Sequence, residues 1–198
     1  MKAVREIERR YYKWTEWTQP VLTSNNTSTS LGNIITTAST YYNDNTQPYM
    51  IMTGTTSTTV DSGYWQLNNK TTEEWLNINF PYKLKISALS VVTRPRDNYN
   101  RTFSVYAGIS GEQIGSDITP PAGATRYTIV SGGEYITDNI FIKVHAKSTE
   151  IYFGLQNLQI TAQYAKYAES SDYDYYVDKY VYKLPKNIST PTYYAINT

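Results

Sequence analysis

Within the eight residues Arg94-Pro95-Arg96-Asp97-Asn98-Tyr99-Asn100-Arg101 the chain places three guanidinium groups, one carboxylate, two amides and a phenol ring. Guanidinium forks and amides match planar or vicinal oxygens, and a flat ring offers an apolar face to stack on. That set suits recognition of a sugar or another small polar ligand. Arg and Tyr are also enriched at protein contacts, and the same residues occur in plain solvated loops, so the segment has three readings. Arg94, Arg96, Asp97, Asn98, Tyr99 and Arg101 are the leading ligand candidates. A second loop, Tyr41-Tyr42-Asn43 with Asn45, offers the same mixture of ring and amide.

Catalytic chemistry is harder to assemble. The chain has one histidine, His145, and no cysteine, which removes thiol nucleophiles, disulfides and thiolate metal sites. His145 shares the strand phase of Phe141, Lys143 and Lys147, opposite Ile140, Ile142 and Val144, and is expected on the surface. Carboxylates are sparse in the central body and none is marked as half of an acid/base pair. No enzyme is expected. Asn43-Asp44-Asn45 gathers oxygen ligands of the kind calcium takes, but Asn and Asp also bond their own backbone in turns, and the turn is preferred. No cofactor is expected beyond a structural calcium at most.

Elements must hold these loops. Apolar residues alternate in Tyr82-Lys83-Leu84-Lys85-Ile86-Ser87-Ala88, in Phe103/Val105/Ala107, in Ile140/Ile142/Val144/Ala146 and in Ile151/Phe153/Leu155. Period two is the signature of half-buried strands. After Leu155 the phase slips to Leu158, Ile160 and Ala162, which predicts a bulge or tight turn at Gln156-Asn157. Turn-forming residues separate the runs at 61–63, 94–98, 108–111, 120–123 and Ser131-Gly132-Gly133. The expected fold class is all-β, an antiparallel sandwich over residues 18–164. Trp65 and Trp75 are expected in its core, and Thr23 to Ser30 reads as a loop or linker.

The flanks differ from the middle. Val4, Ile7, Tyr11 and Trp14 are spaced as a and d positions of two heptads, although Tyr11 to Trp17 also reads as an extended segment. With Trp17 they are the candidates for docking or self-association in a segment 1–17, because so short a helix is marginal alone. Residues 165–198 carry eight of the 21 tyrosines and few aliphatics, so they are expected to order only against another surface. The 18 Lys and Arg balance 17 Asp and Glu, which disfavours nucleic acid as a partner. No apolar run approaches a membrane span and Met1 to Glu6 lack a signal-peptide core, so neither membrane insertion nor export by a leader is expected.

Taken in order, Pro48-Tyr49, Thr53-Gly54, Ser62-Gly63-Tyr64-Trp65, Glu74 to Phe80, Lys85 to Leu89, Phe103-Ser104-Val105-Tyr106-Ala107-Gly108, Ile142-Lys143-Val144 and Ile151 to Ile160 resemble the discoidin or F5/8 type C, galactose-binding-like domain across residues 30–164. The resemblance implies an eight-stranded jelly-roll sandwich whose loops at one rim bind carbohydrate, lipid head group or protein. It places Tyr41 to Asn45 near that rim. Thr53 stands where the family usually has Asp before the glycine, which weakens a carried-over calcium site. The Asn/Thr/Tyr-rich style with tethering flanks also looks like a bacteriophage tail or head fibre. That likeness implies a virion location, a host-surface glycan as ligand, other virion proteins as partners and a homo-oligomer, a trimer by analogy. The alternative it leaves is a structural capsid decoration or tail connector.

Overall fold

The computed structural model describes residues 4–58, 62–68, 71–93, 101–120, 125–147 and 153–183. Nine strands follow one another among the described residues: β1 (Val4–Glu16), β2 (Asn26–Thr29), β3 (Gly32–Ala38), β4 (Trp65–Gln66), β5 (Glu74–Thr93), β6 (Phe103–Ala107), β7 (Arg126–Val144), β8 (Gly154–Ala168) and β9 (Tyr175–Lys183). Two short 3-10 turns, Asp44–Thr46 and Pro48–Met52, are the helical elements among the described residues.

Two units divide the chain, one spanning Trp14–Ala165 and the other combining residues up to Lys13 with those from Lys166 onward. In the larger unit, β5 and β7 each serve two layers. The first part of β5, Glu74 to Asn79, lies between β3 and the end of β7, and β2 and β6 complete that layer. After a register shift between Asn79 and Leu84, the rest of β5 pairs with the start of β7 and with β8, which also takes β4. Pro81 sits in the shift, where a missing N–H costs the ladder least. The layers face each other across Trp65, Leu76, Ile78, Leu84, Ile86, Phe103, Ile140, Ile142, Phe153 and Leu155, all at most 1% exposed. Each such side chain contributes about 1.5–3 kcal/mol by leaving water. This is the expected antiparallel sandwich.

The phase slip in β8 is a bulge. Ser90 pairs with Gln159 and Val92 with Gln156, so β8 spends one extra residue there. Asn157 takes up the distortion at φ +48, the one positive φ at a non-glycine among the described residues. Ser131-Gly132-Gly133, expected as a turn between strands, lies inside β7. With both glycines at positive φ it makes a second bulge rather than a reversal. The expected linker Thr23 to Ser30 contains β2, which forms a hairpin with β3. Trp75 is also corrected. Strict alternation buries Glu74 and Leu76 and turns Trp75 outward, 36% exposed, stacked on Phe141 at 6.0 Å.

In the smaller unit the heptad reading fails and the extended alternative is observed. Val4 to Tyr12 pair antiparallel with Lys183 to Tyr175, nine residues on each side. A partner strand that bonds one whole edge of the segment overrides two heptads of helical spacing. Tyr12 stacks on Tyr167 at 5.0 Å and on Tyr175 at 5.1 Å, and Arg9 forks onto Asp178 at 2.7 and 2.9 Å. Residues 175–183 of the tyrosine-rich stretch thus order against the N-terminal strand.

Candidate functional site

Strand ends of the sandwich unit gather at one rim: the exit of β3, the entries of β4, β5 and β6, and the exit of β7. Two buried charges brace it. Glu74, 3% exposed, accepts bonds from the hydroxyls of Ser39, Thr40 (3.0 Å) and Thr72 (3.2 Å). Arg101, 1% exposed, donates from Nε (3.0 Å) and Nη2 (2.6 Å) to the His145 carbonyl, and from Nη2 to the Thr72 carbonyl. Burial pushes its pKa down and the Glu74 carboxylate pulls it back up. Arg101 is therefore corrected from ligand candidate to internal clamp. It stands two residues before Phe103, on the inward phase of the strand, so its side chain follows the core.

Arg94, Arg96, Asp97, Asn98 and Tyr99 lie outside the described residues. Their flanks are anchored: Gln156, fully buried, donates to the Thr93 carbonyl at 3.2 Å and accepts from the Ser57 N–H at 2.6 Å. Sequence reasoning missed Gln156 as a support, although the phase slip beside it was a signal.

Tyr41 and Tyr42 stand at this rim, 43% and 42% exposed. Their loop is held on both sides. Trp65 Nε1 donates to the Thr40 carbonyl at 3.2 Å, the Asn68 N–H donates to Thr40 Oγ1 at 3.2 Å, and the Tyr42 N–H donates to the Gln66 carbonyl at 3.0 Å. Asn43 closes the loop as the cap of the Asp44–Thr46 turn: its Oδ1 accepts from the Asn45 N–H at 2.8 Å, and its own N–H donates to Thr46 Oγ1 at 2.9 Å. The side-chain oxygen of Asn43 is thus committed to the turn.

His145 is less exposed than its strand phase suggested, with 35% of its side chain in solvent. The segment around Gln113 to Ile118 returns alongside β6 and covers it. Its Nε2 lies 2.6 Å from Ser104 Oγ, which donates to Asp117 Oδ1 at 2.6 Å, while His145 and Asp117 are 3.9 Å apart. These are the residue types of a hydrolytic triad in the wrong order. The serine, 1% exposed, sits between the other two, and the carboxylate bonds the serine instead of orienting the imidazole. Bonds from Ser104 and Gln113 hold the Asp117 pKa below the ordinary carboxylate range. Among the described residues no three His, Asp or Glu side chains group as metal ligands.

The docking candidates separate. Val4, Ile7 and Tyr11 belong to the smaller unit, where Ile7 is 59% exposed and Tyr11 packs against Tyr173 at 4.7 Å. Trp14 and Trp17 belong to the sandwich unit, a correction to their expected place in a separate tail. Trp17 meets Phe80 edge-on at 5.8 Å and donates from Nε1 to Tyr82 Oη at 2.9 Å, so the sandwich absorbs most of its ring.

No family model matches the chain, and no curated protein matches it. Solved structures do. The family 32 carbohydrate-binding module of NanJ from C. perfringens, in complex with galactose, aligns with a TM-score of 0.50 at 10% identity over 72% of this chain and 98% of that one. A fucolectin from the serum of striped bass, Morone saxatilis, aligns with a TM-score of 0.53 at 10% identity over 70% of this chain and 50% of that one. The chain shares the antiparallel β-sandwich fold of these two structures, the fold class expected from the sequence.

Proposed function

We propose that this chain is a non-catalytic carbohydrate-binding module that takes a glycan at the rim presenting Tyr41 and Tyr42. The observation that carries the reading is the pair of half-exposed tyrosine rings on a loop already fixed by backbone and indole hydrogen bonds. A pre-ordered aromatic platform gains stacking on the C–H face of a sugar with little conformational entropy left to lose. Arg94, Arg96, Asp97, Asn98 and Tyr99 supply the hydroxyl-directed donors and acceptors in this proposal. Support also comes from fold neighbours that include a lectin and a module holding galactose.

A glycan array followed by calorimetry tests the proposal. Tyr41→Ala and Tyr42→Ala should each weaken the best hit at least tenfold with an unchanged thermal midpoint. Binding of no glycan by the wild-type chain, or undiminished affinity in both variants, would overturn it. On a virion, the proposed setting, the module is a fibre component that docks through the smaller unit, where Ile7, Tyr176, Val177 and Tyr180 are 46–59% exposed. Those same residues favour a second reading, a structural connector whose rim contacts protein. Combined Arg94→Ala, Arg96→Ala and Tyr99→Ala separates the two: lost host adsorption by intact particles supports the adhesin, and failed assembly supports the connector.

A further inference from the structure

The outward face of the second layer carries a depression at a place where the sheet is interrupted twice. Ile86 pairs with Tyr135 and Ala88 with Ser131, so β7 spends two extra residues opposite Ser87. On the other side Ile86 pairs with Ala162 and Ala88 with Thr161, so Ser87 itself is extra. Both ladders therefore open at one level. Gly132 and Gly133, at φ +87 and +105, leave the β7 side of the break without a projecting side chain. Bulges and strand glycines mark places where a sheet bends or admits a close approach.

The depression encloses about 500 Å³, within the roughly 300–1,000 Å³ of small-molecule sites. Its floor is Lys85, Ser87, Gly133, Glu134, Thr161 and Gln163, and its wall is Glu16 and Trp17. Lys85 Nζ is held 3.0 Å from Glu134 and 5.2 Å from the centre of the Trp14 ring, so its charge is answered within the site. Glu16 then leaves the lining one negative charge in excess, which disfavours phosphate, sulfate or carboxylate-bearing ligands. What remains is the solvent-facing part of the Trp17 indole with hydroxyl and amide groups, the apolar and polar kinds of surface that a pyranose matches in turn. From β7 across β5 to β8 the floor is about 10 Å wide, longer than one sugar ring.

We infer that this sheet-face groove, lined by Trp17, Lys85, Ser87, Glu134 and Gln163, is a second glycan site that takes an uncharged oligosaccharide. It shares its ligand chemistry with the rim reading and none of its residues.

The test uses the full chain and neutral hexasaccharides of glucose, xylose, mannose and N-acetylglucosamine, read by calorimetric stoichiometry and tryptophan fluorescence. The wild type should bind two equivalents of one of these, with the indole signal tied to the groove. Ser87→Trp, which fills the groove, should lose one equivalent and the fluorescence change. Gln163→Ala should weaken the same event at least fivefold, and it carries the test if Ser87→Trp does not fold. The Tyr41→Ala/Tyr42→Ala double variant should lose only the other equivalent. A single equivalent abolished by the tyrosine changes and untouched by both groove changes would overturn the groove and leave the rim standing. A single equivalent lost only in the groove variants would overturn the rim and sustain the groove. No binding of any hexasaccharide overturns the groove, and equal groove affinity for a hexagalacturonate overturns its assigned selectivity.

Discussion

Replacing Arg101 with methionine keeps most of the buried volume and removes every hydrogen bond the guanidinium makes. Two backbone carbonyls, His145 and Thr72, then lose a charged donor, and Glu74 loses its opposite charge in a site where both side chains are at most 3% exposed. Bonds to charged groups contribute about 1.5–3 kcal/mol each, which sets an upper range near 3–6 kcal/mol for the two acceptors. Methionine is spared the desolvation that arginine bears, which offsets part of this. A loss of about 3 kcal/mol follows. At about 2–4 °C per kcal/mol for a chain of this size, the melting midpoint should fall by about 6–12 °C. Thermal and urea unfolding by circular dichroism measure it, with Arg101→Lys, which keeps the charge without the fork, falling between. A loss under about 1 kcal/mol, or weakened glycan binding at full stability, would refute the clamp and return Arg101 to the ligand surface.

Asn157 holds φ +48, so Asn157→Gly should be near neutral and Asn157→Val should cost about 1–2 kcal/mol in urea unfolding, since β-branched residues are strained there. Gly154→Ala would bring a Cβ to 2.7 Å from both the Trp65 carbonyl and the Tyr64 ring, and calorimetry should show about 1–3 kcal/mol of lost stability. Asp117 has a depressed pKa, so what it adds to stability is complete above the ordinary carboxylate pKa of about 4 and is lost as pH falls through the depressed value. Ser104→Ala removes the leading cause, and its deficit in melting midpoint against wild type should shrink between about pH 5 and pH 2. A deficit independent of pH would refute that assignment.

Alternation alone determined that the body of this chain is antiparallel β, because period two is imposed by the backbone and survives in any context. It located the strands Leu84 to Ile86, Phe103 to Val105 and Ile140 to Val144, and the β8 bulge, since a bulge must shift the hydrophobic phase. The same rule applied strictly to Trp75 would have turned it outward. Residue type also determined that the chain has one histidine and no thiol, and it identified Tyr41 and Tyr42 as candidates. Tertiary structure alone decided what depends on partners far along the chain. Arg101 reads as a loop cation until the carbonyls of residues 72 and 145 converge on it. Val4 to Trp14 has the spacing of a helix until β9, some 170 residues later, pairs with Val4 to Tyr12 and makes the segment a strand. Ser131-Gly132-Gly133 reads as a turn until β5 runs straight past it, which makes it a bulge and opens a groove that no local pattern could announce. Periodicity records which face of an element is wet; only long-range pairing assigns the neighbour on that face, and both proposed sites are made of such neighbours.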